Sequence, residues 1–84
     1  MNNIDIFKKK ILYLSQHRGI KEMDLLLGNF VEKYINVFNE KELEELESLL
    51  SIDDNTLYSW YLNQKESDSI PNNSVSLKFK KFKL

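Results

Sequence analysis

Apolar residues recur at helical spacing along most of the chain. Ile4, Phe7, Ile11 and Leu14 step by three or four positions and so share one helical face, with Leu12 and Lys8 to Lys10 flanking it. Asn2 or Asn3 can cap this helix and Asp5 complements its dipole, which predicts an element from about Ile4 to His17. Gly19 then fits the left-handed position that ends a helix, a conformation that a residue with a Cβ enters at a cost of about 1–2 kcal/mol. The next pattern runs Met23, Leu26, Leu27, Phe30, Tyr34, Val37 and Phe38, interrupted by Gly28. A glycine inside a helix costs about 1 kcal/mol relative to Ala, so Gly28 marks either a kink or the close approach of a neighbour, and close approach is the expectation.

"NEKELEELESLL" follows, with Asn39 as N-cap, acids in the first turn, and Leu43, Leu46, Leu49 and Leu50 on one stripe. A shorter helix is predicted beyond Asp53 or Asp54, either of which can cap it, with Leu57, Trp60 and Tyr61 facing inward. "KESDSIPNNS" is polar and turn-rich and reads as a loop, because Pro71 biases Ile70 away from the helical region. In "VSLKFKKFKL" a helical stripe of Val75, Phe79 and Phe82 competes with strand-like alternation, and the segment is predicted as a weak fifth helix or frayed tail. The sum is an all-α class, a small compact bundle of about five short helices, with one helical bundle domain at 1–70 and a basic C-terminal segment at 71–84 that forms the weak helix or frayed tail.

A chain of 84 residues buries only about 60–65% of its unfolded surface, and with no cysteine its core must hold it together without disulfides. One histidine, without closely spaced acidic ligands, excludes the usual metal sites. A net charge of -1 lacks the basic footprint of a nucleic-acid binder. Charge is nonetheless uneven: Glu40 to Asp54 is almost wholly acidic and "LKFKKFKL" carries only lysines. The acidic run reads as a solvated helix face, Trp60 as core, and the lysines as a weak attraction for anionic surfaces. No apolar run reaches membrane-spanning length. "MNNIDIFKKK" lacks both a secretory signal and the Arg-rich, acid-poor character of a mitochondrial presequence, so the expectation is a bacterial cytoplasmic protein, not one of the mitochondrial matrix. Without a phosphate loop, nucleophile elbow or cysteine, and with His17 beside a helix end, an enzyme is not expected.

The most charged corner is "HRGIKEMD". Its residues can be explained as complements to two helix termini, Arg18 at one and Glu22 and Asp24 at the other, with Gly19 at the bend, each effect worth about 0.3–1 kcal/mol. A contact role for the same residues fits equally well.

"RGIKEMD" resembles the Arg-Gly-x-x-Glu-x-Asp signature of the SdhE family of FAD assembly factors for succinate dehydrogenase. The similarity extends to the helix "NFVEKYINVF", the acidic Leu-rich "ELEELESLL", and a D-x-x-L-x-x-W pattern at Asp54, Leu57 and Trp60. It implies a chaperone with no chemistry of its own, which binds the flavoprotein subunit of succinate dehydrogenase or fumarate reductase and assists covalent attachment of FAD to a histidine there. By this resemblance Arg18, Gly19, Glu22 and Asp24 contact the partner, with His17, Ile20 and Met23 as their neighbours in that contact. Arg18 would offer its planar donor fork, and Glu22 and Asp24 would accept hydrogen bonds. Met23 and Asp24 equally suit the core and the helix start. Where many members carry a second Arg before the Arg-Gly pair, this chain has His17.

No stable FAD site is expected, since there is no dinucleotide fingerprint and little room for a flavin cavity. FAD belongs to the partner, and the factor is expected to be monomeric. The alternative is a helical adaptor or regulatory module with another client.

Overall fold

Five helices, with no strand, make up the described residues of the computed structural model, which are 3–63 and 70–84. They are α1 (Asn3–Gln16), α2 (Lys21–Tyr34), α3 (Glu40–Leu50), α4 (Asp54–Asn63) and α5 (Ser74–Lys81), so the architecture is the all-α bundle expected. Asn2, and the part of the expected loop that precedes Ile70, lie outside the described residues.

Local chemistry sets the helix starts. Asn39 Oδ1 accepts from the Glu42 N–H at 2.8 Å while the Glu42 carboxylate accepts from the Asn39 N–H at 2.9 Å, a reciprocal capping box for α3. Asp53, not Asp54, caps α4, its carboxylate accepting from the Thr56 N–H at 3.0 Å. Asn73 and Ser76 form the same kind of box for α5, at 2.8 and 3.0 Å, a start signal that the apolar pattern did not reveal. The start of α2 differs: Ile20 is extended and supplies no side-chain cap.

α1 packs against α2 and α3, and α5 packs against α3. Of the α1 stripe, Ile11 is buried and Ile4, Phe7 and Leu14 pack partly buried against the core. α2 supplies Met23, Leu27, Phe30 and Val31, all fully buried. It ends at Tyr34, short of the predicted pattern, so Val37 falls in a turn and is exposed while Ile35 and Phe38 are buried. Phe30 centres an aromatic cluster, its ring 5.2 Å from Phe79 and 5.3 Å from Phe82 in edge-on contacts. Packing continues across the boundary expected at residue 70. Ile70, Val75 and Phe79 belong to the same buried cluster, and the Tyr61 hydroxyl donates to the Phe82 carbonyl.

A Cβ placed on Gly28 would lie 4.0 Å from the Ser15 carbonyl oxygen of α1. The two helices are neighbours at this point, but at a separation that would admit a methyl group, so the approach does not require a glycine.

Candidate functional site: the corner between α1 and α2

The chain segment 17–20 links α1 to α2 and lies against the end of α3 and the start of α4. Arg18 joins them. Its Nε donates to Asp54 Oδ1 at 2.6 Å, one terminal nitrogen to the Leu50 carbonyl at 2.6 Å, and the other to the Ile52 carbonyl at 2.7 Å. The planar guanidinium fork suits this task because it satisfies a carboxylate and two carbonyls, one at the last residue of α3 and one just beyond it, in one rigid geometry. The two side chains are 8% and 12% exposed, which keeps the pair largely out of water. Breaking such a pair by removing one partner costs about 3–5 kcal/mol, because the remaining charge stays buried.

The other oxygen of Asp54 accepts from the Gly19 N–H at 2.5 Å and the Ile20 N–H at 3.1 Å. Asp54 thus satisfies backbone donors just ahead of α2, where no local side chain does. Asp24 adds a further tie, its carboxylate accepting from the Arg18 N–H at 3.1 Å. Next to this cluster, hydrogen bonds from the Thr56 hydroxyl and N–H hold the exposed Asp53 carboxyl below its ordinary value of 3.8.

The geometry gives several residues of the corner a place inside the fold. All three guanidinium nitrogens of Arg18 donate inside the fold, where the expectation had the fork turned toward a partner. Gly19 is not in the left-handed conformation; its small size matters because a Cβ there would stand 3.3 Å from Asp54 Oδ2. Met23 is 0% exposed and belongs to the core. Asp24 serves the helix start through its bond to the Arg18 backbone.

Glu22 stands apart from these residues. It is exposed in the first turn of α2, and its carboxylate makes no hydrogen bond or ion pair to the described residues. Gly19, three residues before it, is exposed, and Ile20 is partly buried against the core. His17 is exposed with its ring 4.1 Å from that of Tyr13. The corner is therefore a braced frame that presents a glycine edge, a carboxylate and an imidazole outward. Sequence reasoning missed Asp54 as a member of this site. It lies 36 residues beyond Arg18, and the only sign of its importance was its place in the D-x-x-L-x-x-W pattern.

Among the described residues, no cluster of His, Asp and Glu is placed to hold a metal ion, and no helix is long and apolar enough to cross a membrane.

The profile of a family described as "Flavinator of succinate dehydrogenase" matches residues 9–83. Over 78 residues the chain is 37% identical to mitochondrial succinate dehydrogenase assembly factor 2 of Saccharomyces cerevisiae (strain ATCC 204508 / S288c), covering 93% of this chain and 48% of that protein. The corresponding protein of Scheffersomyces stipitis is 38% identical over 68 residues, covering 81% of this chain and 46% of its own length. That of Dictyostelium discoideum is 36% identical over 66 residues, covering 79% and 47%. The chain spans about half the length of these curated relatives. No solved structure matches it. These relatives are named as mitochondrial, a finding that speaks against the expected bacterial cytoplasmic location.

Proposed function

This chain belongs to the succinate dehydrogenase flavinator family, and on that premise we propose that it is an assembly factor for the flavoprotein subunit, promoting covalent attachment of FAD there. The observation that carries the reading is the exposed carboxylate of Glu22, with no partner among the described residues, on a corner braced by Arg18 and Asp54. A side chain left without an internal partner, on backbone whose own polar groups are satisfied, is suited to an external donor.

The factor acts without chemistry of its own. It binds one conformation of the flavoprotein more strongly than the others and so raises the population in which the flavin and its acceptor histidine can react. Glu22 accepts from a basic or backbone donor of the partner, Gly19 lets the partner surface come close, and Ile20 and His17 border the contact. Arg18 and Asp24 support it from within. FAD stays with the flavoprotein, one copy of this chain engages one flavoprotein subunit, and the fumarate reductase flavoprotein is a second client of the same kind.

The reading is tested by mixing the purified chain with the isolated flavoprotein subunit and following complex formation by size-exclusion chromatography with light scattering. A 1:1 complex is expected. Absence of a complex with both flavoproteins would reject the reading and favour an adaptor with another client.

A further inference from the structure

Three donors from the consecutive residues Arg18, Gly19 and Ile20 meet Asp54, which lies more than thirty residues further along the chain. We propose that Asp54 is a positioning residue for partner recognition: through its bonds to Arg18, Gly19 and Ile20 it fixes the direction in which α2 leaves the corner, and hence where Glu22 is presented. The inference rests on the function proposed above and extends it to a residue that touches no partner.

The geometry separates this role from simple cohesion. Were Asp54 only the counter-charge of a buried arginine, one of its oxygens would suffice. Its second oxygen is instead engaged by the N–H groups of Gly19 and Ile20, the two residues immediately before α2. α2 has no side-chain cap of its own, so its entry angle is set by this carboxylate, supplied from the first turn of α4. Glu22 lies two residues beyond Ile20, within the first helical turn, where a small rotation of the entry moves its carboxylate relative to the rest of the surface. Arg18 holds Asp54 in place by anchoring to the Leu50 and Ile52 carbonyls at the end of α3. The Arg-Gly corner and the D-x-x-L-x-x-W segment are on this account two halves of one device.

Two measurements test it. The first needs no partner: amide hydrogen exchange of the wild type and of Asp54→Asn, followed by NMR. Protection at Gly19 and Ile20 should fall by about tenfold or more relative to that at Leu27 and Leu46 in the core. Protection that falls equally at all four sites, or not at all, overturns the proposal. If Asp54→Asn does not fold, Arg18→Gln/Asp54→Asn, which removes both charges together, takes its place.

The second is a double-mutant cycle for binding to the isolated succinate dehydrogenase flavoprotein, using folded wild type, Glu22→Ala, Asp54→Asn and the double variant. Each single change should weaken binding by about tenfold, and the double variant should be no more than about threefold weaker than the worse single one, because Asp54 acts through the placement of Glu22. Losses that multiply would show two independent effects and overturn the positioning role. Failure of the wild type to bind would overturn the proposed function instead, with the exchange experiment still deciding whether Asp54 sets the corner.

Discussion

At the scale of single residues, the two glycines illustrate how one residue type is used for different reasons. Gly19 faces a carboxylate that three donors hold in place, so a methyl group at 3.3 Å has no flexible neighbour to push aside. Gly28 faces the Ser15 carbonyl at 4.0 Å, an ordinary contact distance for a methyl. Substitution should therefore have opposite signs. Gly28→Ala is expected to stabilise the fold by about 0.5–1 kcal/mol through helix propensity, and Gly19→Ala to lower the midpoint of urea unfolding. Equal shifts in the two variants would contradict this account. The sequence showed that the corner was unusual but not how it works. Arg18 looked like a residue at an exposed helix end because its carboxylate partner lies 36 positions away, beyond any local pattern. Met23 was ambiguous for the opposite reason: a helical stripe that begins at a corner can face either the core or a partner, and only the packing of the other helices decides.

At the scale of elements, the start of α3 was legible in its local hydrogen bonding, whereas the Asn73 box of α5 and the end of α2 were not. Asn39 with Glu42 is a pattern that can be read directly, and it forms as expected. The end of α2 could not be read from its apolar spacing, because Ile35 and Phe38 remain inward in a turn while Val37 points out. The choice between Asp53 and Asp54 needed the structure, which gives the first to the α4 cap and the second to the corner. A pH test follows from that division. Hydrogen bonds from Thr56 depress the Asp53 carboxyl in the folded state, so between the folded and unfolded values the unfolded chain binds more protons and stability rises with pH. The contribution is complete above the unfolded value near 3.8 and is lost as pH falls through the lower folded one. Replacing Asp53 with Ser keeps a neutral cap. The stability difference between wild type and Asp53→Ser should shrink as pH is lowered from about 6 to about 3, measured by thermal unfolding, and a constant difference would rule out an ionised cap.

At the scale of the whole molecule, one core joins both ends of the chain. α5 had an uncertain prospect in the sequence because eight residues of mixed periodicity make a marginal helix on their own. Its stability comes from Val75 and Phe79, which enter the cluster around Phe30, and from the Asn73 cap. Phe79→Ala should accordingly destabilise the entire fold by about 3–5 kcal/mol in a single unfolding transition. Loss of α5 alone, with the other helices unfolding at their original midpoint, would show that the bundle does not depend on it. That same core fixes the ends of α3 and α4 on which the corner is braced, so the presentation of Glu22 is a property of the whole fold as well as of one motif. The measurement that bears most directly on the function is covalent flavin in the succinate dehydrogenase flavoprotein, read as fluorescence that survives denaturing electrophoresis. The flavoprotein would be produced without the factor, with the wild type, and with Glu22→Ala, whose folding should suffer by less than about 1 kcal/mol. Fluorescence that rises with the wild type and not with the folded variant is the predicted result; equal fluorescence in all three would contradict the proposed function.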